Sequence, residues 1–275
     1  PPFYLRGFFM QLNLLLNEIR AKQPLVHHIT NWVTIFNCAQ AVKSLGASPV
    51  MAHAPEEAAE ITSISSALVL NIGTLTSDII YSMMISAQTA AAKNIPVVLD
   101  VCGAGASTMR NESCMKLINA GNISIIKGNA SEVSCIAGLD AKTKGVDSTE
   151  VSYNLADVAN ELSEKLSCTV VITGKTDFIA GGGKLFAVDN GAEIMGKVVG
   201  TGCMAASMIG CFAAVMQDDL AAASAAGLAV WGMAGEIAAG KSSGAGSFLL
   251  HIYDALSAIS SDEIMNRQRI TVLQR

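Results

Sequence analysis

The sequence is poor in charge and in aromatic rings: Asp, Glu, Lys and Arg make up 15% of its 275 residues, and Phe, Trp and Tyr together 5%. The net charge is −5 with no concentrated Lys/Arg stripe, so the electrostatic footprint of a nucleic-acid binder is missing. No two cysteines are spaced CxxC, and the seven present are scattered and odd in number. That pattern argues against a disulfide scaffold, an oxidising compartment and a structural zinc site, and the expectation is a cytoplasmic protein. The four histidines show no ligand spacing either, because His27 and His28 are adjacent and would point in different directions. Two stretches carry no charge, Cys203–Met216 and Leu220–Gly235, separated by Asp218 and Asp219. Both fall short of the roughly 20 apolar residues a membrane span needs, and both are rich in Ala, Gly and Ser rather than Leu. They read as core helices packed closely through small residues, with no membrane partner.

What the chain has in quantity is apolar residues, 51% of the total. That suits buried strands, buried helices or an oligomer interface. The apolar start, residues 1–10, has no recognisable signal cleavage site and is set apart from the fold as an extension. From Gln11 the pattern alternates. A helical stripe (Leu12, Leu15, Leu16, Ile19) runs over Gln11–Lys22 and is followed by a strand at Leu25–Ile29 and a helix over Asn31–Leu45 that Gly46 ends. Further strands are expected at Ser48–Met51, Ala67–Ile72, Pro96–Val101, Ile123–Ile126 and Thr169–Ile172, with helices at Glu56–Ser63 and Ser77–Lys93 between them. Strands apolar on both faces and separated by helices predict an α/β fold: a mostly parallel central sheet with helices on both faces. Phe178–Asp189, broken by three glycines, reads as an antiparallel hairpin, and Arg269–Leu273 as a last edge strand. Met83 and Met84 read as core filling. No internal repeat or long linker divides the chain, so 11–275 is expected to be one domain.

In such a sheet, ligands gather beyond the carboxyl ends of the strands. Four junctions there carry suitable chemistry. Gly200-Thr201-Gly202-Cys203 leads into an apolar helix, whose first N–H groups and positive dipole end could hold an anion. Cys203 in that first turn would have a depressed pKa and could accept a proton, although a tight turn over a small core thiol explains the same residues. Asp100 ends a strand before a Gly-x-Gly turn, where a carboxylate could bind magnesium or simply cap the next helix. Asn129 and Glu132 stand one turn apart at a helix start, as magnesium–phosphate ligands or as an ordinary capping box. Thr173-Gly174 closes a further strand, as a phosphate contact or a plain turn. A fifth candidate fails on context. Gly235-Glu236-Ile237-Ala238-Ala239-Gly240-Lys241-Ser242 has P-loop spacing, yet a long Ala-rich helix precedes it where a strand is required, so its glycines read as a helix stop.

Taken in order, Asp100, Asn129-x-x-Glu132, Thr173-Gly174 and Gly200-Thr201-Gly202-Cys203 resemble the ribokinase-like superfamily. Cys203 stands where that superfamily normally has Asp. This cysteine, with His28-Ile29-Thr30-Asn31-x-Val33, Ser48-Pro49-Val50-Met51 and Asp100-x-x-Gly103-Ala104-Gly105-Ala106, makes the chain similar to the hydroxyethylthiazole kinase branch from about Leu25 to Ser257. The resemblance implies a three-layer α/β/α ribokinase-like fold. It also implies transfer of the ATP γ-phosphoryl group, with Mg²⁺, to the primary alcohol of hydroxyethylthiazole, a step of thiamin salvage. It assigns Asn31, Met51 and Gly200 to the thiazole, Lys127 and Thr173 to ATP, and Asp100 and Glu132 to magnesium. Cys203 becomes the catalytic base, and the backbone of Gly200, Thr201, Gly202 and Cys203 the anion hole. The family is typically a homotrimer with active sites between subunits. Val101 and Val199 replace the Pro and Thr that the family usually has there, and Cys102 is unusual in its turn. The alternatives are a kinase for another vitamin-precursor alcohol, which would usually keep Asp at position 203, a non-catalytic thiazole or thiamin binder, and a thiol enzyme, which would need a base near Cys203.

Overall fold

A computed structural model describes residues 14–120, 122–139 and 153–273. The extension at 1–10 and the first residues of the predicted Gln11–Lys22 helix lie outside the described residues; the helix itself, α1, is present over 14–22. The chain then runs β1 (Leu25–Ile29), α2 (Ile35–Leu45), β2 (Ser48–Val50), α3 (Pro55–Ser63), β3 (Ala67–Asn71), α4 (Ser77–Ala92), β4 (Val97–Asp100) and α5 (Thr108–Ala120). It continues with β5 (Ile125–Asn129), α6 (Ala130–Ala137), α7 (Leu155–Leu166), β6 (Thr169–Thr173), β7 (Asp177–Gly181) and β8 (Lys184–Val188). After a 3₁₀ turn at Glu193–Lys197 come α8 (Thr201–Ala213), α9 (Leu220–Ala239), α10 (Ala245–Ala258), α11 (Ser261–Arg267) and β9 (Ile270–Val272).

The strands form one sheet in the order β2-β1-β3-β4-β5-β6-β7-β8-β9. Pairings from β2 through β6 are parallel, and those from β6 through β9 antiparallel. Alternation along each strand explains the three layers. Val69, Val98, Ile125 and Val171 point to one face, where α1, α2, α8, α9 and α10 cover them. Leu68, Leu70, Val97, Leu99 and Ile126 point to the other, against α4 and α5, and Val170 and Ile172 meet α6 and α7 there. Met83 is fully buried in that second layer and Met84 packs beside it.

Helix α9 has the length and composition to cross a membrane, but 83% of its apolar window is buried inside the protein. It lies against α8 closely enough that a Cβ on Gly227 would meet the Met208 carbonyl oxygen at 3.1 Å. The P-loop look-alike is confirmed as a helix end, since Gly235–Ala239 lies within α9 and Gly240 is its C-cap. Two elements differ from the sequence expectation by more than one residue at a boundary. Helix α2 starts at Ile35 rather than Asn31, because the Asn31 side chain turns back to accept hydrogen bonds from the Thr34 N–H and hydroxyl, both at 3.1 Å. Strand β5 runs Ile125–Asn129 rather than Ile123–Ile126, because Lys127, Gly128 and Asn129 stay in register with β6.

Candidate active site

Parallel register assembles the site. Asn71 ends β3 opposite Asp100 at the end of β4, and Asp100 stands opposite Lys127 in β5. Each lies two residues beyond a core valine or isoleucine of the α8 face (Val69, Val98, Ile125), so all three side chains project toward α8. The first turn of α8 comes down on this row. Gly200 is its N-cap with φ +94, and a Cβ there would sit 2.7 Å from the Thr34 methyl, so glycine is required on both counts. A glycine N-cap offers no side chain to the first-turn N–H groups, which have no intrahelical partner either. A Cβ on Gly202 would be 3.4 Å from Lys127 Nζ, which sets the helix start directly over that ammonium.

A cavity of about 440 Å³ opens here. Asn31, Asp100, Lys127, Glu132, Thr173, Gly200, Thr201, Gly202 and Cys203 all line it, so nine of the ten residues picked out by the sequence meet in one place. Met51 is the exception. It follows β2, half-buried against the main core, and is not among the lining residues. A larger hollow of about 580 Å³ lies at the opposite end of the strands, beside Thr169, Gly181 and Lys184, and contains none of the predicted site residues.

One hydrogen-bonded chain crosses the cavity floor. The Asn31 amide donates to Cys203 Sγ at 3.3 Å and to Asn71 Oδ1 at 3.0 Å. Asn71 Nδ2 donates to Asp100 Oδ2 at 2.9 Å, and Lys127 Nζ approaches the same oxygen at 3.3 Å. Asp100 is 1% exposed and Lys127 4%. Burial raises the Asp100 carboxyl, with Lys127 opposing it. For Lys127 burial works downward, but the surrounding Asp100, Glu132, Cys203 and Cys102 outweigh it and hold the ammonium firmly protonated. The other Asp100 oxygen, Oδ1, is buried without any hydrogen-bond partner. A bare carboxylate oxygen in a polar cavity is costly unless a ligand, ion or water meets it.

Glu132 realises the capping box. Its Oε2 accepts from the Asn129 N–H at 2.7 Å while Asn129 caps the Glu132 N–H, and its Oε1 accepts from the Gly103 N–H at 2.7 Å. The carboxylate thereby ties the turn after β4 to the start of α6. Thr173 hydroxyl donates to the Gly128 carbonyl at 3.2 Å, joining β6 to β5 at the cavity edge. The Cys203 thiol is pulled below its ordinary range, first by its interaction with the Cys102 thiol, against the opposing effect of burial, with further help from Lys127, Thr34 and Asn31. The depressed thiol expected from the sequence is therefore present, although its main cause is another cysteine. His27 and His28 do point apart. His27 bonds Thr62 and the Ala52 carbonyl, and His28 bonds Ser207 of α8 and the Val26 carbonyl. Among the described residues no cluster of three or more His, Cys, Asp or Glu is arranged to hold a metal by itself.

Asn71 and Thr34 were missed in the sequence. Asn71 carried a usable signal, a polar residue closing an otherwise apolar strand, the same signal that marked Asp100.

A family model described as the hydroxyethylthiazole kinase family matches residues 16–262. The chain belongs to the hydroxyethylthiazole kinase family. A hydroxyethylthiazole kinase of Methanosarcina acetivorans is 53% identical over 253 residues, covering 92% of this chain and 97% of that protein. The solved structure of a hydroxyethylthiazole kinase protein from Pyrococcus horikoshii superposes with a TM-score of 0.88 at 33% identity, covering 96% of this chain and 100% of that one. A ribokinase-like superfamily protein from Enterococcus faecalis shares the fold at a TM-score of 0.61 and 15% identity, covering 89% of this chain and 92% of that one. The three-layer ribokinase-like architecture of this hydroxyethylthiazole kinase family member is thus shared well beyond its own family.

Proposed function

We propose that the protein transfers the γ-phosphoryl group of ATP to the primary alcohol of hydroxyethylthiazole. The observation that carries this reading is the uncapped first turn of α8, poised over Lys127 and Asp100 with the Cys203 thiol beside it. Phosphoryl transfer demands positioning and charge neutralisation more than covalent chemistry. The backbone N–H groups of Thr201, Gly202 and Cys203 supply donors for the phosphoryl oxygens, and Lys127 supplies fixed positive charge. The alcohol oxygen attacks the γ-phosphorus, the bond to the β–γ bridging oxygen breaks, ADP departs, and the alcohol proton passes to the Cys203 thiolate. Because the transition state is loose, the proton acceptor need not be strong.

Lys127 and Thr173 would meet the nucleotide phosphates, and Asn31 and Gly200 would orient the thiazole. The Met51 side chain would reach substrate only from the cavity margin or from a neighbouring subunit. The donor set suits Mg²⁺, which keeps several waters and asks for only one or two carboxylates besides phosphate oxygens. Asp100, with its unpartnered Oδ1, would hold it, and Glu132 would fix the turn around it and engage its waters. When bound, the ion would neutralise charge on the phosphates. Exposed apolar side chains at and beside the cavity mouth (Trp32, Val33, Phe36, Val199) support a homotrimer with shared sites. We read 11–275 as one kinase domain working in the cytoplasm. The test is incubation of the purified protein with ATP, Mg²⁺ and hydroxyethylthiazole, with the product identified by mass. A phosphorylated thiazole supports the reading; binding without turnover points to a binder, and neither sends the search to other vitamin-precursor alcohols.

A further inference from the structure

Two walls of the cavity come from separate loops. One follows β3: Gly73 and Thr74 line the cavity, and a Cβ on Gly73 would stand 2.9 Å from Asn31 Nδ2. The Thr74 hydroxyl accepts from the Trp32 N–H at 3.0 Å, which holds this loop to the chain around Asn31. The other wall follows β4, where Asp100 and Cys102 line the cavity and the Gly103 N–H donates to Glu132 at 2.7 Å. The ladder between the two strands ends at the Ile72 N–H, which donates to the Asp100 carbonyl at 3.2 Å. Past that point one side chain spans both loops. Arg110, in the first turn of α5, donates from Nη1 to the Ile72 carbonyl at 2.9 Å and to the Cys102 carbonyl at 2.7 Å. Its Nη2 donates to the Gly73 carbonyl at 2.5 Å. A Cβ on Gly103 would lie 2.6 Å from Nη1, so this glycine, with φ +78, leaves room for the guanidinium under the turn. Among the described residues no ion pair joins Arg110 to a carboxylate. The planar fork is used entirely on backbone carbonyls lying in different directions, which the single nitrogen of a lysine could not reach together. The next residue, Asn111, does half of this work: its Oδ1 accepts from the Gly105 N–H at 2.6 Å and so holds the β4 loop alone.

We propose that Arg110 is a positioning residue for the phosphoryl transfer: it fixes the gap between the wall that orients the thiazole and the wall that carries the magnesium carboxylate. It is not among the residues lining the cavity and acts through others. On one side it sets Gly73, against which Asn31 packs; on the other it sets Cys102, two residues beyond Asp100. A change in that gap moves the alcohol relative to the γ-phosphorus, and displacements of about 1 Å cost about 10²-fold in rate. The names given to the two walls rest on the proposed kinase activity, whereas the clamp between the loops does not, so two readouts separate them.

The first readout is amide hydrogen exchange on the full-length protein without ligands. Arg110→Lys keeps the charge but replaces the fork with one ammonium, Arg110→Gln serves as a second variant without charge, and Asn111→Ala removes the bond on one side only. Both Arg110 variants should speed exchange in 72–75 and in 101–105 together, and Asn111→Ala in 101–105 alone. The second readout is steady-state kinetics with ATP, Mg²⁺ and hydroxyethylthiazole, at a temperature where melts show every variant folded. Arg110→Lys should lower kcat/KM about 10²-fold, and raise both the KM for the thiazole and the Mg²⁺ concentration giving half the maximal rate. Asn111→Ala should raise the Mg²⁺ requirement and leave the KM for the thiazole unchanged. A purely structural role for Arg110 would not divide the two constants in this way. Faster exchange spread evenly over the sheet, or confined to α5, would overturn the proposal. So would a thiazole KM that moves no further in Arg110→Lys than in Asn111→Ala. A wild-type protein that phosphorylates no thiazole would refute the kinase reading, and the exchange pattern would then decide the clamp by itself.

Discussion

Replacing Asn71 by alanine tests whether the site is held by hydrogen bonds or by volume. Asn71 is fully buried and makes three bonds: its amide donates to Asp100 Oδ2 at 2.9 Å, and its Oδ1 accepts from Asn31 Nδ2 at 3.0 Å and from the Gly73 N–H at 2.9 Å. The bond to the carboxylate is charge-assisted, worth about 1.5–3 kcal/mol, and a neutral bond about 1 kcal/mol. Since Asn31 keeps its contacts with Cys203 and Thr34, the expected loss of stability is about 3 kcal/mol rather than a full sum. For a chain of this size that lowers the melting temperature by roughly 5 °C. Turnover suffers as well, because Asn71 aligns Asn31 and Asp100, and kcat/KM should fall about 10²-fold. Asn71→Asp is the informative companion. It keeps nearly the same volume and both acceptor bonds, but sets a second carboxylate against Asp100 in place of a donor. It should cost at least as much as alanine. Thermal melts and steady-state kinetics decide the matter: an aspartate variant with wild-type stability and kcat/KM would refute the reasoning, whatever the alanine variant does.

Cys203→Ala should lower kcat by about 10²-fold and leave residual turnover, since the α8 backbone and Lys127 remain in place. Undiminished kcat would end the base assignment. Lys241→Ala should leave kcat and the KM for ATP within about twofold of wild type, because Lys241 is exposed beyond the end of α9 and P-loop spacing there has no strand before it. A collapse of ATP affinity would overturn that. His28 is fully buried, and burial lowers its pKa from 6.5 to about 4, with the neighbouring His27 and His53 adding to the effect and the Val26 carbonyl opposing it. Between those pH values the unfolded chain binds the extra proton and the folded chain does not. Stability should therefore fall as pH drops through that window, by about 3 kcal/mol from this group. Urea unfolding at several pH values, with His28→Gln as the comparison, should show a shallower acid loss in the variant; equal slopes would contradict the prediction.

Most of the sheet was legible because its strands are apolar on both faces and end in breakers: Leu25–Ile29 matches β1, and Asp177–Val188 is the expected hairpin. The boundaries that moved did so where polar side chains serve the site. Asn31 uses its side chain to delay α2, and β5 carries Lys127 to the cavity beyond a buried strand, where an ammonium is tolerated beside Asp100. The glycines at 200 and 202 and the cysteine at 203 were readable as a turn entering a helix, but not which strand ends they cover. That depends on the sheet order, which sequence alone left open. Asn71 was passed over because the sequence reading placed it inside the strand Ala67–Ile72, and only the register sets it beside Asp100. Glu132 was readable both as a cap and as a metal residue, and its capping bonds to Asn129 and Gly103 show that the cap builds the turn around the proposed magnesium site.

The most direct test of the proposed activity follows ATP consumption and product mass for the purified protein with Mg²⁺, with and without hydroxyethylthiazole. The account predicts thiazole-dependent ADP formation, one phosphorylated thiazole per ATP consumed, and loss of both when Asp100 is replaced by Asn. ATP turnover that ignores the thiazole, or an Asp100→Asn protein as active as wild type, would contradict it.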